Sequence, residues 1–441
     1  MSTIISCNHT GTTMNNLSYM IGYKRFLYDQ YIKVVVLGHV ARRLLVGEMP
    51  WKGVFGFLRR LLFFLSKMKD NKYVKSRSGT KLNLYVPAFP TRAFFKACNK
   101  VASVEKKMPC VSVLLSVTSG CRYRCEHCYQ KLDIGKDVKI DYLLDVVRTL
   151  DRMGVAFFNI EGGEPFLVYD RLKAVCAAVT TGEIWVNSTG DGMNRERLLE
   201  LRSLGVKGVM FSLHSPDPEG INRFMGRNDA WDNLRTGMAL CHECGLDVAV
   251  NSCLMKSDYF DGSFQRFMDL ARSLGVSIIQ LIKPKPSGGW LGSEMDTFSE
   301  DDLAHVERLT FEYNNLRAYK DYPFIAAQIV DERKSMFGCT AGGTDRFYVN
   351  AKGDVQPCEF LNISFGNIQQ EPFETIYERM RTVFEIPGDF WLCEKYAKDI
   401  YALYQAGGVK SLPLDPDQSA RIYRQWDRGS CPDFYKKVVT L

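Results

Sequence analysis

The chain has 441 residues, 46% apolar and 24% charged, with a net charge of +7. These values are ordinary for a globular protein and exclude a fibrous, low-complexity or wholly disordered chain. No uncharged apolar run reaches 18 residues, so no helix is expected to span a bilayer.

Residues 1–20 are polar and expected to be loose, with no secretory signal pattern. Fourteen cysteines without such a signal point to thiols kept reduced for metals, in an oxygen-sensitive cytoplasmic protein. Residues 24–69 read as helical, with two apolar-basic stretches, 31–46 and 51–67. Residues 24–77 hold 13 Lys/Arg against Asp29, Glu48 and Asp70, so the remainder carries about −3 (7 − 10). That local excess suggests an anionic neighbour for this segment. Arg59 and Arg60 interrupt the second stretch, which rules out a cheap crossing. It would either lie in an anionic membrane interface, or pack on the enzyme's own core with a basic edge. Residues 71–80 read as a polar linker, and the prolines in 83–90 impose extended backbone.

From Val111 the pattern becomes alternating strands and helices. Strands are expected at 111–117, 155–160, 183–187, 208–213, 247–251 and 276–282, with helices near 140–153, 171–180, 195–204, 230–244 and 264–274. Six β/α units in succession imply parallel strands with right-handed crossovers, an α/β fold forming a partial (β/α)6 barrel. Reactive groups in such folds lie at strand C-termini.

Directly after the first strand stand Cys121, Cys125 and Cys128 in C-x3-C-x2-C spacing. Three thiolates on a short loop can hold a cubane Fe–S cluster and leave one iron open. Zinc is the rival, but it wants a fourth ligand, and only His127 is near. After the second strand comes Gly162-Gly163-Glu164-Pro165. Its glycines permit close backbone approach, and its carbonyls can accept from an ammonium group.

Together these two motifs resemble those of the radical S-adenosylmethionine (SAM) enzymes. The resemblance implies a 4Fe–4S cluster on Cys121, Cys125 and Cys128, whose free iron holds the amino and carboxylate groups of SAM. Its reductive cleavage would release a 5′-deoxyadenosyl radical. Gly162, Gly163 and Glu164 correspond to the motif holding the SAM amino group. Ser188 and Ser212, at the ends of strands three and four, are further cofactor-binding candidates. Arg227, with Arg223 as competitor, is the candidate for the SAM carboxylate. His214 stands where relatives commonly have Asp.

The C-terminal part repeats the cysteine theme. Cys339, Gly353 and Cys358 flank an expected hairpin with its turn at 351–354, and a helix is expected at 373–381. This resembles the auxiliary-cluster domain of the SPASM/twitch subgroup. The C-x2-C-x5-C-x3-C run of a full SPASM domain is absent, so the shorter twitch form with one auxiliary [4Fe-4S] cluster is expected. Its ligands would be Cys339, Cys358 and Cys393, with Cys431 as a fourth; bare zinc or no metal is the alternative. Cys241 and Cys244 sit in an expected helix, and Cys7, Cys98, Cys110, Cys176 and Cys253 have no spacing partners; all read as structural. The expected organisation is a helical basic/aromatic N-terminal region at 1–108, the barrel at 109–290, a twitch/SPASM-like domain at 291–395 and an extension at 396–441.

The function expected is hydrogen abstraction from an unactivated C–H bond, an oxidoreductase-type radical chemistry. The basic aromatic segment suggests a lipid or membrane-associated substrate, with peripheral contact at the membrane inner face. The subgroup suggests instead a maturase that oxidises or cross-links a ribosomal peptide. A non-catalytic Fe–S electron carrier is the third alternative. The expected partner is a flavodoxin- or ferredoxin-type electron donor; nucleic acid is not expected.

Overall fold

A computed structural model describes residues 17–103, 110–407 and 411–440. Cys7 and most of the segment expected to be loose lie outside the described residues. All six expected strands form, alternating with helices. They are β4 (Ser112–Ser116), α4 (Ile140–Met153), β5 (Phe157–Glu161), α5 (Tyr169–Ala178), β6 (Glu183–Ser188), α6 (Arg195–Ser203), β7 (Val206–Ser212), α7 (Pro218–Met225), α8 (Ala230–Cys244), β8 (Asp247–Ser252), α9 (Ser263–Ser273) and β9 (Ile278–Leu281). A further unit, α10 (Glu300–Asn315) and β10 (Phe324–Ala327), adds a seventh parallel strand beside β9. At the other edge, the expected hairpin, β11 (Tyr348–Val349) and β12 (Val355–Gln356), pairs in parallel with β4. The sheet order β10-β9-β8-β7-β6-β5-β4-β11-β12 therefore makes the auxiliary hairpin continuous with the strand that precedes the cysteine loop.

The period-2 alternation of strands builds the bore of this barrel in layers. Phe157, Trp185, Met210, Ala249 and Ile278 form one buried apolar layer. Two residues further along each strand come Asn159, Asn187, Ser212, Asn251 and Gln280, all on the wall of one cavity. The bore thus turns from apolar to polar toward the strand C-termini.

The N-terminal region closes the opposite end. It holds β1 (Ser18–Met20), α1 (Gly22–Leu45), α2 (Val54–Ser66), β2 (Tyr73–Ser76), β3 (Gly79–Lys81) and α3 (Arg92–Ala102). Residues 71–80, read as a linker, instead form most of a hairpin that joins β1 in a three-stranded antiparallel sheet. Tertiary partners make this possible, because they bury lysines that look like linker residues. Lys72 Nζ donates to the carbonyls of Tyr319 and Tyr322, and Lys81 Nζ pairs with Glu183 at 2.8 Å. Ser76 Oγ donates to Asp247 at 2.7 Å. Glu183 and Asp247 begin β6 and β8, so the hairpin is latched to the N-terminal ends of the barrel strands.

Of the two readings of residues 51–67, core packing holds for α2. Val54, Phe57, Leu61, Phe64 and Leu65 are buried, and Phe63 stacks on Phe434 of the C-terminal helix with ring centroids 5.3 Å apart. Only Trp51 and Phe55 stand out, at 68% and 80% exposure. The uncovered apolar stripe lies on α1: Tyr23, Phe26, Leu27, Tyr31, Val34, Leu37 and Leu45 are exposed along its outer side.

Candidate active site

The cysteine loop leaves β4 and is held by hydrogen bonds rather than regular structure. Asp137 accepts from Thr118 Oγ1 at 2.6 Å and from Ser119 N at 2.9 Å. Arg124 N donates to the Met225 carbonyl at 3.1 Å, tying the loop to the end of α7. The glycine motif locks against the same turn: Gly163 N donates to Thr118 O at 2.7 Å and Glu164 N to Gly120 O at 2.9 Å. A Cβ on Gly163 would lie 2.2 Å from the Gly120 carbonyl oxygen, so only glycine fits there.

Cys121, Cys125 and Cys128 all line a cavity of about 660 Å³, together with Gly162, Gly163, Ser188 and Ser212. All three thiols are free. Burial, with a smaller contribution from the neighbouring thiols, pushes Cys121 up to about 11 and Cys125 up to about 12. Thiolates crowded in this way need a strong cationic partner, and metal binding would release their protons. This donor set fits a cluster. Tetrahedral zinc would want a fourth ligand, and His127, the nearest candidate, is instead packed among His214, Phe224 and Trp290.

Two expected cofactor contacts fall elsewhere. Glu164 is fully buried with both oxygens in use: Oε1 accepts from Phe166 N and Ser188 Oγ, and Oε2 from Thr189 N and Oγ1. It shapes the end of β6 rather than facing the cavity, and it holds the Ser188 hydroxyl. Arg227 is also off the cavity wall. Its guanidinium is bound by Asp191 at 2.6 Å and by Asp229, and lies 4.9 Å from the Tyr123 ring centroid. Arg223 does not line the cavity either.

Several wall residues were not singled out from sequence. Glu161 ends β5 inside the bore, with Asn159 two residues before it. The signal available was polar residues at alternate positions of otherwise apolar strands. Lys283 and Lys285 follow β9, and both grip Glu394, at 2.7 and 2.6 Å. Cys253, read as structural, also lines the cavity. His214 packs 4.6 Å from His127 and 4.7 Å from Phe224. Its Nδ1 accepts from Cys253 N, and burial holds the ring neutral. Tyr85 comes from the N-terminal region, and its hydroxyl donates to Gln280 at 2.9 Å. A smaller void of about 100 Å³ lies beyond Tyr85 and Gln280, and no motif residue lines it.

The C-terminal cysteines gather beside this cavity. Cys358 and Cys393 are buried and Cys339 partly so. Burial raises all three thiols, and each is near enough to perturb another: Cys393 and Cys339 raise Cys358, and Cys339 raises Cys393. Arg346 and Lys285 act in the opposite sense on Cys358 and Cys393. Glu394, adjoining Cys393, carries the two cavity lysines, and Glu359, adjoining Cys358, lies on the cavity wall. Cys431 sits apart. Its thiol responds to Lys436, Asp433 and Asp389 and packs with the N-terminal core.

Residues 115–271 match the family model of the Radical SAM superfamily, and residues 339–398 match SPASM, an iron-sulfur cluster-binding domain. The chain therefore carries a radical SAM domain followed by a SPASM domain. Its cofactors are accordingly a 4Fe–4S cluster, SAM and auxiliary Fe–S chemistry. An AdoMet-dependent heme synthase of Nitratidesulfovibrio vulgaris is 21% identical over 65% of this chain and 85% of its own. A PqqA peptide cyclase of Streptomyces rochei is 25% identical over 64% of this chain and 79% of its own. Among solved structures, SuiB of Streptococcus suis bound to its precursor peptide SuiA superposes with a TM-score of 0.52 at 14% identity, over 64% of this chain and 69% of that one.

Proposed function

We propose that this protein uses a SAM-derived radical to abstract hydrogen from a C–H bond of a polar substrate seated in the barrel bore. One observation carries the reading: a single cavity of about 660 Å³ brings together the three loop cysteines, the glycine motif and the polar strand layer. In this reading Cys121, Cys125 and Cys128 ligate the SAM-binding cluster, and the backbone of Gly162 and Gly163 takes the amino group. Ser188 and Ser212 line the cofactor side, with Glu164 holding Ser188 in place. The cofactor pair supplies a one-electron cleavage that yields a 5′-deoxyadenosyl radical. Cys339, Cys358 and Cys393 ligate the auxiliary cluster. The Lys283–Glu394–Lys285 clamp fixes its neighbourhood against the cavity wall. An electron carrier would have no use for so large a void beside its cluster. Anaerobic reconstitution with dithionite and SAM should yield 5′-deoxyadenosine, and Cys125→Ala should abolish it. Equal yields from both proteins sink the reading.

A peptide side chain suits this bore better than a lipid tail, because five barrel strands each present a polar residue to it and one relative is named a peptide cyclase. A second reading concerns location: the α1 stripe, with Trp51 and Phe55, rests on an anionic membrane surface. The exposed apolar side chains and the basic excess of residues 24–77 favour it. Among the described residues no helix is long and apolar enough to cross a membrane.

A further inference from the structure

The bore has an imbalance of hydrogen-bonding groups. Asn159 is 1% exposed, and neither its Oδ1 nor its Nδ2 has a partner. Glu161 is 3% exposed; its Oε2 accepts from Asn187 Nδ2 at 2.9 Å, and its Oε1 is unpartnered. Because Asn187 donates there, its Oδ1 is left open, as are Asn251 Oδ1 and Glu359 Oε2. At the Glu161 end of the cavity five unpartnered acceptors therefore stand beside one unpartnered amide donor; elsewhere on the wall Gln130 Oε1 is a further open acceptor and His214 Nε2 an open donor. Buried polar atoms are rarely left so, since each costs about 1–3 kcal/mol.

Arg124 and Lys131 line the cavity on the cysteine-loop side, while the cations following β9 and that of the neighbouring void are engaged elsewhere. Lys283 and Lys285 are held by Glu394, and Arg346 by Glu332 at 2.7 Å. Glu161 has no ion pair of its own and feels Glu359 as a like charge, offset in part by the Tyr129 hydroxyl, the Asn187 amide and the more distant Arg346. Burial and that neighbour push its carboxyl up to about 8.

We infer that the Glu161 end of the bore, framed by Asn159, Asn187, Asn251 and Glu359, receives a primary ammonium group carried by the substrate. Such a group has three donors and one positive charge, which match the open acceptors and the uncompensated carboxyl. It rests on the reading of this cavity as the substrate site and narrows the substrate class. A polycarboxylate would set acceptors against acceptors and is disfavoured.

The test uses the reconstituted full chain with SAM bound. The probes are Nα-acetyl-lysine amide, 1,5-diaminopentane, Nα-acetyl-norleucine amide and Nα-acetyl-glutamate amide. Binding is followed by thermal shift and equilibrium dialysis. The two amines should bind and the other two should not. A stronger response to the lysine amide marks a peptide-borne ammonium, and a stronger response to the diamine marks a free small amine. Glu161→Gln should weaken the better amine at least tenfold, and Asn159→Asp, which adds a carboxylate, should tighten it. SAM affinity measured on the same preparations reports separately on the cofactor site. The inference is overturned if neither amine binds, if the glutamate probe binds as well as the amines, or if Glu161→Gln retains the amine but loses SAM. Absence of 5′-deoxyadenosine from wild type would instead count against the radical reading itself.

Discussion

Replacing Lys81 by Met tests whether the N-terminal region is an integral floor of the barrel. Lys81 and Glu183 form a pair with each side chain 2% exposed, 2.8 Å apart. Glu183 also accepts from Trp185 Nε1 at 2.9 Å and from Ala88 N at 2.6 Å. The ammonium lies 4.8 Å from the Phe157 ring centroid and 5.5 Å from that of Trp185, and Asp247 is near enough to act on it as a second carboxylate. Met matches the Lys stem but leaves Glu183 as an uncompensated charge in a dry site. Losing one partner of a buried pair costs about 3–5 kcal/mol, a large part of a domain's usual ~5–15 kcal/mol. In Lys81→Met/Glu183→Gln no charge is stranded at position 183, Asp247 keeps the Ser76 hydroxyl, and the amide oxygen can still accept. The double variant should therefore recover most of the loss and sit within about 1–2 kcal/mol of wild type. Urea unfolding of the reconstituted protein, followed by circular dichroism, measures all three. If Lys81→Met unfolds within 1 kcal/mol of wild type, or the double variant is no better than the single, the latch does not hold the two parts together as argued.

A variant lacking Cys121, Cys125 and Cys128 should keep about four iron per chain, since each cubane carries four; near-zero iron refutes an independent auxiliary site. Wild type should co-sediment with liposomes increasingly as anionic lipid rises and less as salt rises, and Arg42→Glu/Lys52→Glu/Arg59→Glu should bind weakly. Arg60 is left intact there, because its Nε donates to the Ala102 carbonyl at 2.7 Å and serves the fold. Wild type in the supernatant at every composition ends the membrane reading, and capture by a second copy of the chain would move it to self-association. Glu161 has a folded value of about 8 against 4.5 ordinarily, so its contribution to stability is complete below about pH 4.5 and lost as pH rises through 8. Between pH 6 and 8, wild type should lose more melting temperature than Glu161→Gln; parallel profiles contradict the assigned environment.

What could be read from sequence was what chemistry or period dictates. A cluster loop needs three thiols at short spacing, and parallel strands leave an alternation that composition alone reveals. The misread parts depended on partners far along the chain. Lys72 and Lys81 look like linker residues until carbonyls of Tyr319 and Tyr322 and the carboxylate of Glu183 are brought to them. Arg227 has the residue type for a carboxylate contact, but Asp191 and Asp229 claim it first. β10 is only four residues long and lies beyond a 16-residue helix, so it gives little periodic signal. The polar layer of the bore was visible as Asn159, Asn187, Asn251 and Gln280, yet its meaning required knowing that these positions share one face.

The same layering divides the molecule's tasks by strand polarity. The cysteine loop, the glycine motif and the open acceptors lie at the C-terminal ends of the barrel strands, while the N-terminal region is latched at their N-terminal ends through Glu183 and Asp247. The inner side of α1 packs on that region, where Tyr28 meets Thr80 and the edge of the Phe89 ring. Its apolar stripe therefore belongs to the closed end of the barrel. A membrane or partner resting on α1 would leave the cavity's own end free, so surface attachment and substrate access need not compete. Among the described residues, Tyr85 is the one side chain of the N-terminal region that lines the bore: it bonds Gln280 of the polar layer and also lines the smaller void beyond it. A shift of the N-terminal region would reach the substrate cavity through that residue before any other.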